Sequence, residues 1–153
     1  MATNDLLQHL PMLGNATPFT DVSESNRRQV ETFLSTGNIA IGDWVQLDNN
    51  KTGPERVIYV ASSGNQANGN SLVCGVALDA ATTGIESRVR VVVAGYVEGA
   101  KVTALVALGM PLVVDANAPT ADLMAAGDIA PACGVTLEAG VGGTCDVWVY
   151  KNF

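Results

Sequence analysis

From residue 38 onward, short apolar runs alternate with turn residues about every ten positions. In RVRVVV (88–93), Val89, Val91 and Val93 share one face of an extended chain, and Arg88 and Arg90 take the other. This period of two is typical of a half-buried strand. The strands predicted in this way are WVQLD (44–48), RVIYVA (56–61), SLVCGVAL (71–78), SRVRVVVAG (87–95), PLVVD (111–115) and CDVWVYK (145–151). KVTALVAL (101–108) fits either a strand or a helix, and its Val and Thr residues favour a strand.

The first 36 residues show no such alternation. The stretch DVSESNRRQVETFLSTG (21–37) predicts a short helix instead, with Asp21 as its N-cap and Gly37 as its stop. Val30, Phe33 and Leu34 would form one narrow apolar stripe on that helix.

Before this helix lies LLQHLPMLGNATPF (6–19), which is apolar but broken by two prolines. It predicts an extended arm that is too hydrophobic for an ordinary disordered tail. Docking of the arm on a partner and folding of the arm onto its own domain both stay open. The chain is therefore divided into an arm (1–36) and a β domain (37–153).

Two sequence units recur in the same order within the β domain. GDWVQLD (42–48) matches GMPLVVD (109–115), and CGVALDA (74–80) matches CGVTLEA (133–139). An alternating strand follows each time. The expected fold is all-β: a small β-barrel or β-tulip-like domain made of two pseudo-repeats (about 38–99 and 100–153) behind the N-terminal arm.

The amino-acid composition narrows the range of possible functions. Only 15% of residues are charged while 48% are hydrophobic, against a typical charged share of about 25%. Such a surface is expected to be covered in part by other subunits. The net charge of −7 argues against nucleic-acid binding. No segment predicts a signal peptide or a membrane span, so we expect a soluble protein made in a cytoplasm, with no membrane partner.

The chemistry-bearing residues do not form a recognisable catalytic or metal motif. The three cysteines have no Cys-x-x-Cys spacing, and the single histidine, His9, lies in the arm, so the cysteines are predicted to pack in the core. No nucleophile elbow or phosphate loop is present. A cation held between surface loops stays open. We predict no catalytic, cofactor-binding or metal-binding residues, and no enzyme activity. Asp48 and Asp115 are interpreted as Asx-turn residues, and Asp79 and Glu138 as turn residues at strand ends. No EF-hand spacing connects the candidate carboxylates of the β domain, which are Asp43, Asp48, Asp79, Glu86, Asp115, Asp122, Asp128, Glu138 and Asp146.

The repeated units resemble a known family, the capsid cement or head decoration proteins of tailed bacteriophages. The resemblance lies in a G-D-x-V strand, here GDWVQLD, a G-V-A-L phrase, here CGVALDAATTG, and a Val-rich strand, here RVRVVVAGYVEG. It covers about residues 38–150. The long segment 49–70 and the arm depart from the family pattern.

The resemblance implies a β-barrel-like, often trimeric protein on the outer face of a phage capsid, made in the host cytoplasm. Its implied partners are the major capsid protein and further copies of itself, and its role is to bridge neighbouring capsomers without a cofactor. The arm would reach the shell or a neighbouring subunit. The interface residues expected from this arm are Leu6, Leu7, Leu10, Met12, Phe19, Arg27, Arg28 and Phe33.

Three alternatives stay open from the sequence. A trimeric β-barrel hydrolase would have to use Arg56, Tyr59, Arg88 and Tyr96. A glycan-binding or adhesive module would need exposed aromatic rings, yet both tryptophans are predicted within strands. A shell or vertex protein of a bacterial compartment is the third alternative.

Overall fold

A computed structural model describes residues 28–63, 72–103, 106–114, 118–125 and 131–151. This part of the chain is all-β, as predicted, and contains no α-helix. The strands are β1 (Arg28–Ser35), β2 (Trp44–Leu47), β3 (Val60–Ser62), β4 (Val73–Ala77), β5 (Ser87–Lys101), β6 (Pro111–Val114), β7 (Ala121–Leu123), β8 (Gly134–Thr136) and β9 (Thr144–Val149).

The strands form one antiparallel sheet that curls into a half-barrel. Its order is β3-β2-β4-β5-β9-β8-β6-β7, and β1 pairs with β5 outside this path. The long strand β5 is central because it pairs with β4, β1 and β9. The predicted alternation is confirmed for 88–91, where Val89 and Val91 are buried and Arg88 and Arg90 are exposed. Val92 and Val93 are both buried, so the strand is covered on both faces there.

The helix predicted over 21–37 is wrong for its described part. Residues from Arg28 to Ser35 form a strand that pairs with β5 along its whole length. Phe33 and Ser35 point inward, two residues apart, as a strand requires. Pairing with β5 gives this segment backbone hydrogen bonds to a neighbouring strand and buries Phe33. An isolated helix with one narrow apolar stripe would gain less, so tertiary pairing overrides the local pattern.

Two predicted strands are also corrected. Within 56–61 only the end is a strand, because Pro54 opens a short 3₁₀ helix at Gly53–Val57 and the chain turns before Val60. Over 101–108, β5 ends at Lys101, and Val102 makes only an isolated bridge to Ala121. The remaining described residues of that stretch lead into a turn at Gly109.

The two halves of the sheet repeat one strand order. We call residues 28–95 the first half and residues 96–151 the second half. Reading outward from the central pair, β5-β4-β2-β3 is matched by β9-β8-β6-β7. The strands of each recurring sequence unit therefore occupy equivalent places in the two halves. The division into an arm and a barrel stays a prediction for residues 1–27, which lie outside the described residues.

Each half has its own hydrophobic core. The core of the first half consists of first-half residues, including Phe33, Ile39 and Val45. The core of the second half also contains Trp44, which comes from β2 of the first half. The indole nitrogen of Trp44 donates a hydrogen bond to the carbonyl of Lys101 at 3.0 Å, and its ring lies over Gly134. The second half thus packs against the outer face of the first.

Candidate interaction face

The glycine of the doubled Cys-Gly-Val motif permits close strand contact. A Cβ on Gly75 in β4 would lie 1.9 Å from the carbonyl oxygen of Val92 in β5. A Cβ on Gly134 in β8 would lie 2.7 Å from the carbonyl oxygen of Trp148 in β9. Both distances are too short for any side chain, so glycine is required at the same point of each half.

The carboxylates of the doubled motif also have one shared role. Asp79 accepts hydrogen bonds from the backbone N–H of Arg90 at 3.0 Å and from its guanidinium. Glu138 accepts one from the backbone N–H of Asp146 at 3.2 Å. Arg90 and Asp146 each lie two residues before the carbonyl that faces the motif glycine. Both carboxylates therefore tie a turn to the next strand and do not face each other in a joint site.

The cysteines are core residues with unreactive thiols. Cys74 and Cys133 occupy equivalent positions, and each donates to a carbonyl, of Leu72 and Leu112 respectively. Burial raises the pKa of the Cys74 thiol to about 12 and does the same for the pKa of Cys133. Cys145 is also buried, and it forms no disulfide. A nucleophilic thiol needs a lowered pKa. The buried surroundings of these thiols raise the pKa, which is the opposite of what a catalytic cysteine requires.

The other carboxylates bond either within their own turn or to residues distant in sequence. Asp48 accepts the Asn50 N–H at 2.9 Å, which is the predicted Asx turn. Asp43, which is only 4% exposed, accepts the Ala40 N–H and pairs with Lys101 at 2.6 Å, joining the two halves. Among the described residues, no group of three His, Cys, Asp or Glu side chains could hold a metal ion. Asp115 and Asp128 lie outside the described residues.

Three of the residues that a hydrolase would have to use, Arg56, Tyr59 and Tyr96, bond to different partners. Tyr59 donates to Glu86, and Tyr96 donates to Asp146 at 2.7 Å. Arg56 donates to the carbonyl of Lys51. No helix in the described part of the chain is long and apolar enough to span a membrane.

Only two of the predicted interface residues lie in the described part of the chain. Arg28 opens β1 and lines a surface groove. Phe33 is 5% exposed and packs in the core of the first half, so its ring serves that core. The other predicted interface residues, Leu6, Leu7, Leu10, Met12, Phe19 and Arg27, lie outside the described residues.

A row of apolar side chains crosses the outer face of the second half. Tyr96 on β5 pairs with Trp148 on β9, Trp148 pairs with Val135 on β8, and Val135 pairs with Pro111 on β6. Directly paired residues of an antiparallel sheet project from the same face. We call these four residues the outer stripe. Trp148 is 39% exposed, and sequence reasoning missed this face because nothing local distinguishes the buried side of CDVWVYK from the open side.

The matching row of the first half is completely covered. Trp44, Val76 and Val92 are paired in the same way and are each 0% exposed. Trp44 corresponds to Pro111 in the repeat, Val76 to Val135 and Val92 to Trp148. Equivalent surfaces therefore have opposite exposure, because the second half covers the first half and nothing described covers the second.

A groove of about 470 Å³ adjoins the outer stripe where β1 begins and β9 ends. Two aromatic side chains, Trp148 and Tyr150, and two cationic ones, Arg28 and Lys151, are among the residues that line it. Lys151 donates to the Gln29 side chain at 3.4 Å. The combination of open rings and charged donors is typical of an interaction surface.

The fold and this face define a class: an all-β chain of two stacked, topologically equivalent halves with an open apolar face and no assembled catalytic group among its described residues. No protein-family description matches the chain, and no curated protein matches it.

One solved structure that shares the fold is the N base of the head fiber gp8.5 of bacteriophage phi29. The match has a TM-score of 0.56 and covers 80% of this chain and 96% of that chain. The sequence identity is 12%. At this identity the likeness establishes the architecture.

Proposed function

We propose that this chain is a structural protein of the outer surface of a tailed-phage head, with a decoration or cement role. The observation that carries the proposal is the fold shared with a phage head-fiber base over almost the whole of that chain. The resemblance of the recurring units to capsid cement proteins is a separate argument from sequence for the same proposal.

The physical requirements of a cement role are modest and agree with the described surface. A protein that binds only the assembled shell stabilises it by mass action. Several linked copies gain avidity, because each later contact is effectively intramolecular. A trimer that bridges neighbouring copies of the major capsid protein would supply both effects. An open apolar face on an acidic chain suits such binding better than it suits a free monomer.

We propose that residues 1–27 attach the protein to the capsid shell or to a neighbouring subunit. This segment carries Leu6, Leu7, Leu10, Met12 and Phe19, and it joins the sheet at Arg28, beside the groove. A contact made there would leave the rest of the sheet free to face outward.

Binding to capsids that lack the protein tests the role directly. Purified full-length protein is incubated with such capsids and the particles are imaged by cryo-electron microscopy. We expect ordered density on the outer surface at threefold or local threefold positions. Bare particles at saturating protein would refute the proposal.

The contribution of the arm needs a separate variant. Replacement of Leu6, Leu7 and Leu10 by serine should lower capsid occupancy at least about tenfold, since buried apolar anchors dominate binding energy. Replacement of the exposed Ile85 by serine is the matched control and should leave occupancy unchanged. Equal occupancy of both variants would remove the arm from the proposal but not the head role.

A further inference from the structure

The outer stripe is unusual for the terminal surface of a stacked structure. In tandem arrangements the last unit normally has a polar outer face, because no further unit covers it. Here the last outer face carries Tyr96, Trp148, Val135 and Pro111, and it is continued by Tyr150, which is 40% exposed. We propose that a second copy of this chain docks on the outer stripe. This inference concerns self-association and does not depend on the head role.

Internal equivalence identifies the partner as another copy. The corresponding row in the first half, Trp44–Val76–Val92, is buried by a folded half of the same chain. The chain already packs this type of surface against a folded β half, and a second copy offers its own uncovered outer stripe as the matching surface.

Charge also favours a second copy. The whole chain has a net charge of −7, so two copies repel unless they meet through a face of low net charge. The outer stripe has no charged residue. Arg28 and Lys151 flank the stripe on the side where β9 ends, and Glu98 and Asp146 flank it on the other side, next to Tyr96 and Trp148. A second copy can therefore approach with its carboxylate side against the cationic side of the first.

The size of the face suits a folded partner. The stripe crosses four neighbouring strands, which are spaced about 4.8 Å apart. Its width of roughly 14 Å is larger than one extended segment covers. Trp148 lies near its centre, where a large aromatic side chain usually contributes most to an interface.

The oligomeric state of the full-length chain tests this inference. Sedimentation velocity over a wide range of concentration should give a species that is a multiple of the 15.8 kDa monomer. Trp148→Glu should raise the dissociation constant at least about tenfold, because it places a charge in the centre of the contact. Ile85→Glu changes an exposed residue outside the stripe and should associate like the wild type. Circular dichroism checks that each variant is folded.

Tyr150→Glu is the second variant, and it keeps the test decisive if Trp148→Glu does not fold. A wild type that is monomeric throughout overturns the inference, as does association that neither stripe variant weakens. Because Trp44 is buried, quenching of tryptophan fluorescence by acrylamide measures how accessible Trp148 is to solvent. A monomer with a shielded Trp148 would assign the stripe to residues 1–27, and a monomer that binds oligosaccharides on a glycan array would assign it to a sugar; either outcome overturns docking of a copy.

Discussion

The residues of the doubled motif, CGVALDA (74–80) and CGVTLEA (133–139), make different contributions to the fold. The glycine is required by a neighbouring carbonyl, and the carboxylate ties a turn to the next strand. The cysteine fills space in the core. A motif that joins Cys with Asp or Glu can thus recur in one chain for architectural reasons alone.

Gly134→Ala should destabilise the protein by about 3 kcal/mol, because the new methyl group meets the Trp148 carbonyl and the Trp44 ring. Gly37→Ala is the control, since only the Ser35 hydroxyl lies near and at 3.8 Å. We expect a change within about 0.5 kcal/mol there. Urea unfolding followed by fluorescence measures both, and equal stability of the two variants would contradict the close-contact explanation.

The Asp79–Arg90 pair predicts a specific response to acid. Hydrogen bonds from Arg90 lower the pKa of Asp79 from 3.8 to about 2. A carboxyl whose pKa is lower in the folded state stabilises the fold above its unfolded pKa and loses this contribution as the pH falls toward the folded value. Because the pair is partly exposed, with Asp79 at 30%, its contribution is about 1 kcal/mol at most.

The free energy of unfolding of Asp79→Asn should therefore be lower than that of the wild type by a constant amount at neutral pH. The gap should narrow between about pH 4 and pH 2. Unfolding curves at several pH values measure this. A gap that does not change with pH would show that Asp79 acts only as a neutral hydrogen-bond acceptor.

At the scale of elements, β1 changes where the folded domain begins. Its residues lie in the stretch assigned to the arm from the sequence, but they are paired with β5 and supply Phe33 to the core. Truncation therefore has two distinct consequences, depending on where it stops.

Removal of residues 1–27 should leave the thermal unfolding temperature nearly unchanged, because β1 stays intact. Removal of 1–36 deletes β1 and should unfold the protein, since loss of Phe33 alone costs about 3 to 5 kcal/mol. Differential scanning calorimetry of the two truncations distinguishes the outcomes. Similar stability of both would mean that β1 is not an integral strand.

The strands most visible in the sequence were those with alternation or a continuous apolar run. β2, β4, β6 and β9 were predicted with small errors at their ends, whereas β5 was predicted only as far as Gly95 and extends to Lys101. β7 and β8 have three residues each, too few for a period to show. β1 was mistaken for a helix because Val30, Phe33 and Leu34 have helical spacing, whereas in the strand Phe33 points inward and Val30 is 40% exposed. Only the pairing of this segment with β5 decides between the two.

The candidate interaction face was harder to predict from the sequence than the fold was. Its members come from β5, β6, β8 and β9, so they become neighbours only through sheet order. Trp148 and Val92 occupy equivalent positions, yet one is open and the other is covered. That difference depends on how the halves stack, which no local pattern encodes.

At the scale of the whole molecule, Trp44 and the Asp43–Lys101 pair join the two halves. We expect one cooperative unfolding transition, with the calorimetric enthalpy equal to the van't Hoff enthalpy. Trp44→Ala should lower stability by about 4 kcal/mol. Two separate transitions in the wild type would contradict this coupling, since they would show that the two halves unfold independently.

The difference between the two cores has a consequence for how the chain is made. The core of the first half is complete once Val93 has been synthesised, because all its members lie between Phe33 and Val93. The core of the second half lacks Trp44 unless the first half is already in place. During synthesis from the N-terminus, the earlier half can fold as it leaves the ribosome and then act as the template on which the later half closes. Limited proteolysis of ribosome-stalled chains of increasing length should show protection arising in that order, and simultaneous protection of both halves would exclude it.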